Sequence, residues 1–194
     1  MEALVLIGFA YLLGSLPSGY VVGKLAGVDV RTVGSGNVGA TNVARAVGKG
    51  QGLLTLIADV AKGFVPVALA LRWGMQPAAL AMVAIAAFLG HLYPAFLRFH
   101  GGKGVATALG ALLALAPLAT LVLIVVFSLV AVASRRVSLS SMTAAAVAPI
   151  ALWLFHQPPA IVAMGAFLAA MIVWRHRGNI QRLLAGTEPR FGSG

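Results

Sequence analysis

An all-α, polytopic bundle of membrane helices is the fold class this sequence predicts, and three observations predict it. Hydrophobic residues make up 60% of the 194 residues and charged residues 9%, whereas a water-soluble domain carries about a quarter charged residues because its surface must face solvent. Six apolar segments recur, at roughly 3–26, 52–71, 77–97, 104–133, 139–155 and 158–174, and a helix of about 20 such residues crosses a bilayer. Basic residues gather between some of these segments and avoid others. The pattern reads as one integral-membrane domain over residues 1–194.

Cysteine is absent, which excludes disulfides, a thiolate nucleophile and any Cys-based metal site. The net charge of +10 comes from 14 Lys and Arg against four acids, Glu2, Asp29, Asp59 and Glu188. In so apolar a chain this balance points to cytoplasmic loops and to anionic head groups or substrates rather than to nucleic acid. MEALVLIGFAYLLG lacks a basic start and a small-residue cleavage site, so it reads as a retained first helix.

The elements follow in order. Lys24, Arg31, Arg45 and Lys49 surround the first connection, and Arg98 and Lys103 the third. Arg135 and Arg136 follow the fourth segment, and Arg175, Arg177, Arg182 and Arg190 the last. The second connection holds only Arg72, and HQPP at 156–159 holds no Lys or Arg. Basic connections stay in the cytoplasm, so the N-terminus is expected outside and the C-terminus inside. The fourth segment then enters and leaves on one side, and Pro117 near its middle breaks it. A hairpin of short helices, about 104–116 and 118–133, joins about five full crossings in this reading. Segments 34–50, 98–104, 135–141 and 175–190 come to the cytoplasmic face.

Those segments hold most of the polar side chains. GSGNVG at 34–39 matches G-x-G-x-x-G, and Asp59 lies 20 residues past its last glycine. The dinucleotide fingerprint needs strands on either side, however, and Asp59 lies within a membrane helix. An anion cradle fits better. Gly34 and Gly36 let backbone N–H groups approach a ligand. Ser35, Asn37, Thr41 and Asn42 offer neutral donors, and Arg45 a charged fork suited to phosphate. Thr41 and Arg45 share a helix face at i, i+4.

HGGKGVATALG at 100–110 sets Gly101, Gly102 and Gly104 around Lys103 just before a helix. Backbone N–H groups at a helix start plus a lysine form a phosphate site; a plain helix turn with a snorkelling lysine is the other reading. WRHRGNIQRLLAGTE at 174–188 reads as an interfacial amphipathic helix burying Ile180, Leu183 and Leu184, with His176 and Asn179 on one face. Ser138, Ser140 and Ser141 can cap a helix or donate to a ligand. Asp59 and Lys62 are three apart, so an ion pair that lowers the cost of both charges in lipid is expected. Its role is structural, with ligand contact by Lys62 as the lesser reading. His91, His100 and His156 are scattered and make no metal site.

Together GSGNVGATNVAR at 34–45, GGKGVAT at 101–107 and RHRGNIQRLLAGTE at 175–188 resemble the three signature motifs of the bacterial membrane acyl-phosphate:glycerol-3-phosphate acyltransferases of the PlsY type. DVAKG and SLSS fit too, so the likeness spans almost the whole chain. The resemblance implies transfer of a fatty acyl group from acyl phosphate to the 1-hydroxyl of glycerol 3-phosphate, giving lysophosphatidic acid and phosphate. It implies the bacterial plasma (inner) membrane, no cofactor or metal, functional coupling to an acyl-phosphate-producing enzyme and no obligatory oligomer. Ser35 and Arg45 match the family's essential serine and arginine, and Gly101, Gly102, Lys103 and Gly104 its glycerol-3-phosphate segment. His176 and Asn179 match its important third-motif pair, and Glu188 its structural glutamate.

Arg45 and Lys103 are then expected to hold phosphates, with backbone groups, Ser35 and asparagine donors at the oxyanion. Either His176 or the donor's own phosphate is the base. Other chemistries fit less well: no histidine has Asp five positions on, and no two acids are near enough in sequence to suggest a metal pair. A phosphate-ester or anion transporter is the non-enzyme alternative, but no internal repeat is visible.

Overall fold

The structure, a computed structural model, describes residues 1–191. Among them every regular element is helical. Two compact units divide the chain, Met1–Leu115 and the residues from Ala116 onward.

The first unit contains α1 (Glu2–Gly14), α2 (Ser18–Leu25), α3 (Ala40–Ala46), α4 (Lys49–Arg72), α5 (Pro77–Leu92) and α6 (Val105–Leu115). The first apolar segment is thus one span broken before Ser18, where Pro17 has no N–H to continue a helical ladder. Small residues set the packing. A Cβ on Gly63 would overlap the Thr107 carbonyl, and one on Gly110 the Val60 carbonyl, so α4 and α6 touch backbone to backbone. Gly14 and Gly90 bring α1 and α5 together in the same way. Lipid tails are as apolar as leucine, so close backbone approach rather than hydrophobic exclusion holds such helices together.

The second unit contains α7 (Pro117–Ser134), α8 (Val137–Leu154), α9 (Pro159–Arg175) and α10 (Arg177–Leu184). α7 packs on α8, and α8 on α9. The helix break falls at Ala116–Pro117 as expected, with Pro117 starting α7 where its missing N–H costs nothing. α6 is the short helix anticipated. α7, with 18 residues, has the length and apolarity of a full span, so the pair expected over 104–133 is one short helix and one long one. Among the described residues five stretches are long and apolar enough to cross a membrane. The bent pair α9–α10, turned by 57° at His176, would make a sixth.

The surface is that of a protein solvated by lipid. Leu4, Leu129 and Val132 are 74%, 65% and 78% exposed, while Asp59, Lys62, His91, Thr107, His176, Asn179 and Glu188 are buried. Polar groups turned inward and leucines turned outward invert the soluble pattern, because ionisable groups in a membrane need protein partners.

Candidate active site

In the first unit the loop before α3 is folded around one amide. Asn42 is 2% exposed; its Nδ2 donates to the Val30 and Val33 carbonyls at 2.9 and 3.1 Å. Its Oδ1 accepts the Ser35 N–H at 2.9 Å. Gly34 and Gly36 take left-handed φ of 62° and 68°, and a Cβ on Gly34 would overlap Asn42 Oδ1. The turn therefore needs glycine on both sides of Ser35. Beneath it Val30, Val38 and Val43 form a small core with Tyr20 and Leu97. Asn37 Oδ1 accepts the Gly39 N–H at 2.8 Å, closing the entry to α3.

Ser35, Thr41 and Arg45 are exposed on this platform. Arg45 makes no hydrogen bond or ion pair among the described residues. Asn42, expected to donate to a ligand, is a strut instead, since both of its amide hydrogens go to backbone carbonyls.

The basic edge of the same unit is laced separately. Asp29 accepts from Arg31 at 2.7 and 2.9 Å and lies 3.3 Å from Lys24. The Arg31 hydrogen bond is the main reason its carboxyl is held well below the usual range.

Residues 101–104 fold back on the end of α5. The Gly101 and Gly102 N–H groups donate to the Leu92 and His91 carbonyls, each at 3.1 Å. Gly104 has a left-handed φ of 83°, and its missing Cβ makes room for the Phe88 ring. Lys103 is half-buried, at the entry to α6. Leu97, on the arm leading to this turn, packs into the valine core under Ser35, which ties the two glycine-rich segments into one unit.

Asp59 and Lys62 pair at 2.7 Å, as their i, i+3 spacing predicts. Lys62 also donates to the Leu16 carbonyl at the α1–α2 break. His91 Nδ1 lies 3.6 Å from Asp59 Oδ1. Asp59, Lys62 and His91 line a small cleft with Leu16, Pro17 and Val38. His91 is the polar residue that sequence reasoning passed over. The available signal was an ionisable side chain inside an apolar span, which by itself marks a candidate site.

In the second unit Glu188 is the hub. Its Oε1 accepts from Ser138 Oγ and Asn179 Nδ2, both at 2.6 Å, and its Oε2 from Arg182 Nε at 2.8 Å. Three donors satisfy one carboxylate and clamp the chain after α10 onto α8. Burial alone would push the Glu188 carboxyl up, but the Ser138, Asn179 and Arg182 hydrogen bonds and the Arg182 charge outweigh it and hold its pKa below the ordinary glutamate value. A carboxylate whose folded pKa is depressed adds stability above its unfolded pKa and loses it as pH falls through the folded value. Thermal melts in detergent from pH 7 down to about pH 3 should therefore show wild type losing its advantage over Glu188→Gln below the ordinary glutamate range. A constant difference across that range would contradict the assignment.

His176 is 3% exposed at the α9–α10 bend, and its Nδ1 lies 2.8 Å from the Ile172 carbonyl. A carbonyl only accepts, so Nδ1 carries the proton and the lone pair of the neutral ring sits on Nε2. The protein interior takes His176 and Asn179, Ile180 and Leu183 are half-buried, and Leu184 is 85% exposed. One expectation changes here. The serines of α8 do not cap it, because Arg136 is its N-cap residue. Ser140 and Ser141 bond to the Arg136 and Val137 carbonyls one turn back, at 3.0 and 2.8 Å. The Ser141 proton is thereby committed within its own helix rather than to a ligand.

Apolar spans with leucines outward and ionisable groups inward, with glycine-braced turns in one unit and a carboxylate-locked Asn179 in the other, define a polytopic membrane protein. The family model "Glycerol-3-phosphate acyltransferase" matches residues 4–186. Proteins of that name from Geobacter metallireducens and Aquifex aeolicus are 51% and 47% identical, each over 98% of this chain and over 98% and 100% of their own lengths. Crystal structures of PlsY, an integral membrane glycerol 3-phosphate acyltransferase, superpose in its glycerol 3-phosphate and lysophosphatidic acid forms with TM-scores of 0.96 and 0.94. They are 47% and 46% identical and cover 100% of this chain and 97% of those chains. The chain belongs to the glycerol-3-phosphate acyltransferase family and is a membrane acyltransferase.

Proposed function

We propose that the protein transfers a fatty acyl group from acyl phosphate to the 1-hydroxyl of glycerol 3-phosphate, the first step of phospholipid synthesis. The products are lysophosphatidic acid and phosphate. The observation that carries this reading is the whole-chain likeness to an acyltransferase known in both a glycerol 3-phosphate and a lysophosphatidic acid form. Residues 1–194 act as one catalytic domain in the bacterial plasma membrane, and the reacting groups face the cytoplasm. The basic residues between the spans support that orientation.

In the reaction the glycerol oxygen forms a C–O bond to the acyl carbonyl carbon. The bond from that carbon to the phosphate oxygen breaks, and phosphate leaves with the electron pair. Arg45 and Lys103 hold the phosphates, and the Ser35 hydroxyl steadies the oxyanion. Thr41 and Asn37 line the same approach. The hydroxyl proton passes to Nε2 of His176, the nitrogen that carries the lone pair when Nδ1 is bonded to Ile172. Asn179, aimed by Glu188, orients the acceptor. Asp59, Lys62 and Glu188 hold the frame.

The test is phosphate release by the purified protein in detergent or lipidic mesophase, given acyl phosphate and glycerol 3-phosphate. Release that requires both, with lysophosphatidic acid as product, is the expected result; release without the acceptor, or none at all, counts against the reading. His176→Ala should lower kcat by at least about 10²-fold, the contribution of a positioned general base. Near-normal turnover would instead make the donor's phosphate the proton acceptor.

A further inference from the structure

The ring of His91 occupies the space where Gly102 would carry a side chain. A Cβ on Gly102 would overlap His91 Nε2, with Cε1 and Cδ2 next nearest at 3.0 and 3.1 Å. The other edge of the ring faces Asp59, whose Oδ1 is 3.6 Å from Nδ1. That is ion-pair range but too long for a hydrogen bond. Asp59 is held by Lys62 at 2.7 Å, and Lys62 by the Leu16 carbonyl. The histidine is 8% exposed and is wedged between an anchored carboxylate and a glycine-rich turn. Its own backbone carbonyl accepts the Gly102 N–H, so ring and main chain of one residue grip the turn from two sides.

We infer that His91 is a positioning residue for the Gly101–Gly104 turn: its imidazole, braced by Asp59 and Lys62, is the template on which the Gly102 and Lys103 peptide planes are set. The inference rests on the reading that this turn binds a substrate phosphate. Gly102 is small because the ring fills its side-chain space, and the ring stands there because the buried ion pair holds its far edge. The Gly101 and Gly102 N–H groups are given to the α5 carbonyls, so what that surface sets is the path of the turn into α6 and with it the placing of Lys103, and anion binding depends on such preorganisation.

Two amide replacements separate the two edges of the ring. Asparagine places its side-chain nitrogen near Nδ1 and keeps the Asp59 side, but deletes the edge against Gly102. Glutamine reaches to the Nε2 position and keeps that edge. Gly102→Ala alone should raise KM for one phosphate substrate at least about 10-fold, because the new methyl meets the ring. Adding His91→Asn removes the obstacle and should restore at least about 5-fold of that loss, whereas adding His91→Gln should restore none.

His91→Asn by itself should raise the same KM by about 5-fold or more, with the KM of the other substrate within about 2-fold. A melting curve on each variant accompanies the kinetics; if His91→Asn loses its transition, the rescue of Gly102→Ala by it cannot occur and the template is overturned. Losses that simply multiply in the double variant, or equal rescue by both amides, also overturn it. Lys103→Ala, measured alongside, judges the underlying reading on its own. If it leaves both KM values unchanged, the turn does not bind phosphate, while the rescue pattern still reports whether His91 shapes the turn.

Discussion

Replacing Arg45 by alanine is expected to lower kcat/KM by about 10²–10³-fold, the scale of losing one charged donor at a developing anion, while leaving the melting temperature unchanged. The expectation rests on where α3 places the side chain. Arg45 is exposed, one turn beyond Thr41, and its side chain has no protein partner among the described residues. A guanidinium that stabilises nothing in the fold is available to a ligand, and its planar fork matches two phosphate oxygens at once. Arg45→Lys should recover only part of the loss, since an ammonium supplies charge without the fork. Steady-state kinetics in both substrates, with a melting curve on each variant, decides the matter. Wild-type kinetics in Arg45→Ala would remove Arg45 from the site.

Truncating Asp59 to alanine is expected to destabilise the fold by about 3–5 kcal/mol, the cost of leaving one member of a buried ion pair unpaired. Lys62 is 5% exposed and, among the described residues, would keep only the Leu16 carbonyl as partner. His91 would lose the carboxylate that its Nδ1 faces. Removing both charges, as in Asp59→Leu with Lys62→Met, should recover most of the stability, because no unpaired charge remains in an apolar surrounding. Thermal denaturation of the three proteins in one detergent gives the answer. If Asp59→Ala melts with wild type, the pair is not a structural brace. If the double variant regains stability but stays inactive, the charges serve the turn above them as well as the fold.

The resulting picture is of two glycine-rich segments whose conformations are enforced from below. Asn42 enforces the first through Val30, Val33 and Ser35. His91 and Phe88 enforce the second through the space that Gly102 and Gly104 leave open. In both cases the turn residue is small and the residue that shapes it is buried in an adjoining helix. Glu188 plays the same part for Asn179.

Much of this was legible before any coordinates. Hydropathy and charge alone foretold an all-helical membrane fold, and Pro117 its break, since a proline cannot continue a helical ladder. The Asp59–Lys62 pair was readable because partners three apart on a helix are fixed by the helix itself. The motifs proposed Ser35, Arg45, Lys103, His176 and Asn179 as site residues, and kinetics on their variants is what tests them. Other features were not readable. Asn42 looked like a ligand donor, Ser141 like a cap or donor, and His91 like a stray.

The division has one physical cause. Local periodicity encodes neighbours within a helix, so spans, breaks and the i, i+3 pair belong to the sequence by itself. Which faces meet is decided by close backbone contacts such as Gly63 on Thr107 and Gly14 on Ala87, because in lipid an apolar face does not have to turn inward. Only the packed structure could therefore set the His91 ring over Gly102, or bring Ser138 to a glutamate fifty residues away.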